Sequence, residues 1–317
     1  MVTTLTPSSK APPRPSEDFL DLLGASRRAP LVMGIVNVTP DSFYAAGRSP
    51  ERRSAIDRAL TLVEQGADLL DIGGQSTRPG SEPVSEKEEL RRVLPVVEAV
   101  AARVSVPISI DTDKAVVARE ALKAGARIIN DVSALRNDPN MTAEALPAQG
   151  LILMHRGGNS SKTMQDDPRY MDVVREVADF LDERVRFFAA AGGDPKRVLV
   201  DPGIGFGKTL EHNVLLLRNL AVLARSGRPV VLGVSRKSFL GKLLAAPGVS
   251  GAAVPPPLRT GSGLADGGAV PGPEDRLEGS LAVAAWAMIQ GVRVLRVHDV
   301  GETCRFLRTL AAVAGSH

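Results

Sequence analysis

The sequence predicts an α/β fold, a single (β/α)8 TIM barrel, on three observations. Eight short β-rich runs alternate with longer amphipathic stretches. Most of those runs are continuously apolar, the pattern of parallel strands buried on both faces. Two stretches, 1–30 and 246–275, hold 11 of the 23 prolines, and setting them aside leaves 257 of the 317 residues, the size of one barrel. A doubly wound open sheet is the rival, which periodicity alone does not exclude.

The expected strands are Leu31–Val36, Asp68–Ile72, Pro107–Ile110, Arg127–Asn130, Leu151–Met154, Arg197–Val200, Pro229–Val234 and Arg293–Val297. Among the helical stretches, Pro50–Gln65 ends at Gly66, and Ser85–Arg103 opens on Ser-Glu-Lys-Glu, a capping-box pattern. Met171–Ala191 ends at Gly192-Gly193 and Glu278–Gln290 at Gly291. Residues 1–30 are expected to be a flexible, disordered N-terminal extension, and 31–317 the barrel. Within it, 246–275 has 13 Pro or Gly in 30 residues and no periodicity. It reads as a mobile insertion in the seventh crossover.

Composition narrows the function. At 44% hydrophobic residues the chain buries a sizeable core, and with eight Phe, two Tyr and one Trp that core is aliphatic. So few aromatics disfavour nucleic-acid stacking platforms. A surplus of three positive charges, with no run of five basic residues, disfavours nucleic acid and anionic membranes as partners. The single cysteine, Cys304, fits a reducing compartment and reads as a buried structural thiol. The N-terminus has no apolar signal core and no run spans a bilayer, so the expected location is cytoplasmic.

In a barrel, catalytic groups sit at the C-terminal ends of the strands. Those positions hold Asn37, Asp71, Asp111, Asn130 with Asp131, His155, Asp201, Ser235-Arg236-Lys237, and Arg296 with His298. One such residue is an ordinary helix cap, but a whole rim of them is not. Carboxylates, amides and cations gathered there suit a polar heteroaromatic ring carrying an anionic group. Arg296 and His298 stand two apart at the end of the eighth expected strand and share a face, an arrangement suited to an anion. Asp201-Pro-Gly-Ile-Gly-Phe-Gly-Lys-Thr209 looks like a phosphate-cradling loop, but Pro202 occupies the required first glycine, so that reading fails. It remains a tight loop that lets backbone approach a ligand. His155 and His212 read as structural, the latter as a helix cap.

Read together, these blocks resemble the dihydropteroate synthases, the folate-pathway enzymes inhibited by sulfonamides. The matching segments are Met33-Gly-Ile-Val-Asn-Val-Thr-Pro-Asp-Ser-Phe43, Asp71-Ile-Gly-Gly-Gln-Ser-Thr-Arg-Pro-Gly80, Ser109-Ile-Asp-Thr112, Ile129-Asn-Asp-Val-Ser133 and Leu153-Met-His155. Lys162-Thr-Met-Gln165, Asp201–Lys208, Ser235-Arg-Lys-Ser-Phe239 and Arg296-Val-His-Asp-Val300 complete them. The resemblance implies condensation of 6-hydroxymethyl-7,8-dihydropterin diphosphate with p-aminobenzoate, giving 7,8-dihydropteroate and pyrophosphate through a pterin carbocation. It implies pterin binding by Asp111, Asn130, Met154, Asp201, Phe206 and Lys237, with Asp111, Lys237 and Arg78 catalytic. Asn37, Arg78, Arg296 and His298 would hold the diphosphate, and Asn37 would ligate Mg2+. Thr39, Pro40, Phe43, Thr77, Pro79 and Ser238 would form the p-aminobenzoate site, and a homodimer is expected.

Three departures stand out. Gln75 replaces a usual Glu, Tyr44-Ala-Ala follows Phe43, and Arg156 stands where an apolar residue commonly follows the histidine. Two alternatives stay open: a pterin-binding paralogue without this activity, and a methyltetrahydrofolate-type pterin methyltransferase barrel.

Overall fold

The computed structural model describes residues 19–24, 29–39, 48–76, 81–158, 164–165, 167–225, 227–245 and 270–314. Among them are eight parallel strands: β1 (Leu31–Asn37), β2 (Leu69–Gly73), β3 (Ile108–Asp111), β4 (Ile128–Asp131), β5 (Gly150–Met154), β6 (Val198–Asp201), β7 (Val231–Gly233) and β8 (Val294–Val297). Their order is β6-β5-β4-β3-β2-β1-β8-β7, and a parallel bridge from Val200 to Val230 brings the two ends together. The sheet is therefore a nearly closed barrel, not the open sheet that periodicity had left as a rival.

The helices are α1 (Phe19–Gly24), α2 (Arg48–Glu64), α3 (Glu86–Ala101), α4 (Ala115–Lys123), α5 (Met141–Ala145), α6 (Val173–Ala190), α7 (Leu210–Arg218), α8 (Leu220–Arg225), α9 (Ser238–Ala245), α10 (Leu277–Ile289) and α11 (Val300–Val313). No described helix is long and apolar enough to cross a membrane. The expected capping box of α3 is only half made. Ser85 Oγ accepts from the Glu88 N–H, but the Glu88 carboxylate turns to Arg91 and Arg92. The full box lies on α7, where Thr209 and His212 cap each other. Cys304 is buried with its Sγ 3.4 Å from the Gly66 carbonyl, and burial pushes its thiol up.

Period-two alternation divides the apolar residues between two cores. The outward-facing set packs against the helix ring. The inward set, Leu31, Met33, Leu69, Ile128, Ile152, Leu199, Val231 and Val294, fills the bottom of the barrel. Phe19, Leu22 and Leu23 of α1 join this inner core, with Phe19 fully buried. The reading of 1–30 as a flexible extension is thus corrected at 19–24. A six-residue helix is marginal alone, so packing holds it. Arg293 also caps it, donating from Nε and Nη2 to the Leu23 carbonyl at 3.0 and 2.6 Å.

The seam leaves no spare room. A Cβ at Gly150 would lie 2.6 Å from Phe19 Cε1 and 3.3 Å from Ile128 Cγ1. Gly150→Ala is expected to cost about 1–3 kcal/mol by overpacking. Denaturant unfolding checks this, and an unchanged midpoint would show that α1 does not seal the barrel floor.

A second boundary also moves. Most of the proposed insertion, 246–269, lies outside the described residues. Its last part does not, since Pro273–Arg276 form a 3-10 turn leading into α10. The buried Arg276 donates to the Pro271 and Arg236 carbonyls, both at 2.9 Å, and so ties this turn to the loop after β7.

Candidate active site

Along four of the inner lines the residue type changes from apolar to polar halfway up the strand. Two residues beyond Leu69 comes Asp71, beyond Ile128 Asn130, beyond Leu199 Asp201 and beyond Val294 Arg296. The C-terminal half of the barrel is therefore a polar chamber on an apolar floor. Met154, two beyond Ile152, and Gly233, two beyond Val231, are its non-polar stations.

Arg296 organises the chamber. Its Nε donates to Asp71 Oδ2 at 2.5 Å and its Nη2 to Asp111 Oδ2 at 2.8 Å. Asn130 Nδ2 donates to the same Asp71 oxygen at 3.1 Å. Burial acts to lower the guanidinium, but the two carboxylates hold it above its ordinary range. Asp71 Oδ1, Asp111 Oδ1 and the Ser109 hydroxyl are buried without a hydrogen-bond partner. Buried polar atoms are rarely left bare, so three such atoms on β2 and β3 mark this wall as unusual. Burial pushes the Asp111 carboxyl up to about 8, with Arg296 pulling it back and Asp71, Glu89 and Asp113 pushing further.

The opposite wall comes from β6 and β7. Asp201 is buried and accepts from the Gly203 N–H at 2.7 Å. Burial raises its carboxyl while Lys237 draws it down. Lys237 Nζ reaches the Ile204 carbonyl at 2.5 Å and sits 4.6 Å above the Phe206 ring. Burial lowers it to about 8. Gly233 lies between the two cationic side chains: a Cβ there would stand in ordinary contact with Lys237 Nζ at 3.9 Å and with the Arg296 stem at 3.8 Å. The preceding residue, Arg236, holds a left-handed φ of 59°. Such strain in a bulky residue clusters at ligand sites. Its backbone N–H donates to Ser280 Oγ and its guanidinium pairs with Asp299, away from the Lys237 ammonium.

Arg296 and His298 leave the same strand for different partners. The His298 ring and backbone N–H both meet Ser235 Oγ, at 3.2 and 3.1 Å, while Arg296 spans the two carboxylates. Asn37 ends β1 and is exposed, Thr39 is half-buried, and Ser238 opens α9 directly after Lys237. Pro40, Phe43, Tyr44, Thr77, Arg78 and Pro79 lie outside the described residues. Gln75 Oε1 accepts from Lys114 Nζ at 2.7 Å and from the Val84 N–H at 3.0 Å, joining the two ends of the second loop. Arg156 is buried and donates to Asn137 Oδ1 at 3.2 Å.

Asp71 is the residue that sequence reasoning noted at a strand end but left out of the site. The signal was its register: Gly233 pairs with Arg296, Met33 with both Arg296 and Leu69, and Asp71 follows Leu69 by two. Register thereby sets Arg296 level with Leu69, and its long side chain reaches one inward station further to Asp71.

A family profile described as "Pterin binding enzyme" matches residues 33–298. The dihydropteroate synthase of Escherichia coli (strain K12) is 43% identical over 283 residues, 89% of this chain and 91% of that protein. The solved structure of Xanthomonas albilineans dihydropteroate synthase with 4-aminobenzoic acid is 43% identical. It superimposes with a TM-score of 0.77, covering 91% of this chain and 94% of the other. The Yersinia pestis dihydropteroate synthase in a sulfonamide drug complex gives 39% identity and a TM-score of 0.77, over 91% and 95% of the two chains.

Proposed function

Since the chain belongs to the dihydropteroate synthase family of pterin-binding enzymes, we propose how its own residues divide the work of that reaction. It is a transferase of folate biosynthesis acting on small-molecule substrates. The single observation that carries the residue assignment is the chamber itself: Asp71 and Asp111 each give one oxygen to Arg296 and keep the other buried and bare, with Lys237 flanking Arg296 across Gly233.

A pterin ring presents N–H donors along one edge and a carbonyl nearby. Asp201 and Asn130 receive the edge, and Lys237, a donor while protonated, reaches the carbonyl. Met154 and Phe206 wall the ring. As diphosphate leaves, positive charge builds on the exocyclic methylene, and the ionised Asp111 stabilises it in a water-poor chamber. The amine of p-aminobenzoate then attacks that carbon and loses a proton, so no enzyme nucleophile is needed. Arg78, Arg296 and His298 hold the leaving diphosphate. Thr39, Pro40, Phe43, Thr77, Pro79 and Ser238 receive p-aminobenzoate, and loop closure over them keeps water from the cation.

Mg2+ suits Asn37 by donor chemistry. The exposed amide offers one neutral hard oxygen, and Mg2+ is commonly held by few protein ligands plus substrate phosphates. When bound, the ion neutralises charge on the leaving diphosphate. The single cysteine supports a reducing, cytoplasmic location, and the small charge surplus and few aromatics support small molecules rather than membrane or nucleic acid as partners. A homodimer is supported by the family likeness and by apolar side chains exposed on α7, α8 and α10, namely Leu215, Val222, Trp286 and Ile289. Sedimentation equilibrium checks it, and a monomer at micromolar concentration would remove it.

The test of function is turnover. Purified protein given both substrates and Mg2+ is expected to release pyrophosphate and dihydropteroate, with a sulfonamide competing against p-aminobenzoate. Binding of a pterin without turnover would favour the non-catalytic paralogue. A sulfonamide that leaves turnover unchanged at low p-aminobenzoate would require the aminobenzoate site to be redrawn.

A further inference from the structure

We propose that Lys208 is a positioning residue whose buried ammonium shapes the pterin-facing loop 203–207 from inside. The loop resembles a phosphate cradle in sequence, and its Gly-Lys-Thr ending would ordinarily send the lysine to a phosphate. Here the side chain turns inward and is only 3% exposed. Its Nζ lies 2.9 Å from His155 Nδ1 and donates to the carbonyls of Gly203 and Phe206 at 3.0 Å, with the His155 carbonyl at 3.3 Å.

The loop offers its carbonyls to side chains rather than to backbone alone. Gly203, Gly205 and Gly207 have φ of 66°, 84° and 64°, a left-handed backbone that glycine adopts without strain. Every carbonyl of the five residues is taken by a side chain. Lys208 takes Gly203 and Phe206, Lys237 takes Ile204, Gln165 takes Gly205 at 2.5 Å, and Tyr170 takes Gly207 at 2.9 Å. A phosphate loop gathers N–H groups around an anion; here the Lys208 ammonium sits against two loop carbonyls, those of Gly203 and Phe206. At Gly203 a Cβ would fall 1.8 Å from the His155 carbonyl, so the loop is pressed against the end of β5.

Two pterin-facing walls therefore meet at Lys208. Phe206 lies on the loop it braces, and Met154 immediately precedes the histidine it binds. His155 is itself braced by the Phe180 ring at 4.9 Å, and burial keeps its imidazole neutral, with Nδ1 accepting from the ammonium. Lys208 touches neither the reacting carbon nor the diphosphate; it acts through Phe206, Met154 and the Ile204 carbonyl that Lys237 engages.

The proposal rests on the dihydropteroate synthase reading and is tested with Lys208→Met and Tyr170→Phe in the full chain. Lys208→Met is expected to raise the KM for the pterin diphosphate by roughly ten- to hundred-fold, the scale of a displaced binding wall. The KM for p-aminobenzoate at saturating pterin diphosphate should hold. Its Tm should fall, because the Gly203 and Phe206 carbonyls and His155 Nδ1 lose their buried donor. Tyr170→Phe removes one strap and should give the same split on a smaller scale. Unchanged pterin KM in folded Lys208→Met overturns the proposal, as does a parallel rise in both KM values. If Lys208→Met does not fold, Tyr170→Phe decides on the same criteria. Wild-type protein without turnover would instead sink the functional reading.

Discussion

Asp111→Asn is expected to lower kcat by roughly 10²–10³, the loss typical of removing one preorganised electrostatic stabiliser. Asparagine keeps the shape and still offers Arg296 Nη2 an acceptor, so the change is one of charge, not of packing. The pterin KM should move far less than kcat, because the carboxylate's negative charge matters most when the methylene becomes cationic. The pH dependence gives a second reading. Burial and the neighbouring Asp71 hold the Asp111 carboxyl near 8 against the pull of Arg296, so in the free enzyme it ionises within the accessible range. Because the anion is the useful form, kcat/KM should climb with rising pH through that region and then level. Asp111→Asn should remove this limb. Steady-state kinetics across pH checks both; a variant within a few-fold of wild type, with the limb intact, would take Asp111 out of the chemistry.

Arg296→Met is expected to abolish turnover and to cost about 3–5 kcal/mol of stability at neutral pH, since it leaves Asp71 and Asp111 buried without their shared cation. The sign with pH follows. Without Arg296 the Asp111 carboxyl rises further above its unfolded value near 3.9. Stability is then present at low pH, where Asp111 is protonated in either state, and is lost as pH rises through its raised folded value. The deficit against wild type should therefore shrink on acidification. Adding Asp71→Asn to Arg296→Met should restore part of the stability and none of the activity, a coupling that a double-mutant cycle measures. Arg296→Lys should not rescue turnover, because one ammonium does not reproduce two forked donations 2.5 and 2.8 Å long. Unfolding by denaturant at two pH values would contradict this if the variant's deficit were the same at both.

Much of this was legible in the sequence because period-two alternation is a local signal. The eight strand runs, their polar ends and the apolar floor follow from residues two apart, as Leu69 and Asp71 or Leu199 and Asp201 show. The barrel's closure was not local, and neither was the Asp71–Arg296–Asp111 bridge, whose members lie 225 and 185 residues apart in pairs and meet only through strand register. For the same reason the sequence shows Arg296 as an anion ligand but not the two carboxylates that its Nε and Nη2 bridge, which sit on strands remote in sequence. Lys208 was misleading in a different way, since the Gly-Lys-Thr spacing is shared with phosphate loops while the side-chain direction depends on backbone φ. Helix α1 escaped notice because six residues within a Pro-rich stretch show no periodicity until a barrel floor is there to receive Phe19.

The central claim is that the chamber stabilises a cationic methylene rather than assisting a direct displacement. The measurement closest to it is the secondary deuterium isotope effect with both exocyclic methylene hydrogens of the pterin diphosphate replaced, followed in a single turnover so that the bond-breaking step is observed. A dissociating carbon loosens its C–H bending modes, so a clear normal effect is expected. An effect of unity, with dihydropteroate forming at an ordinary rate, would contradict it and point to attack by p-aminobenzoate concerted with diphosphate departure.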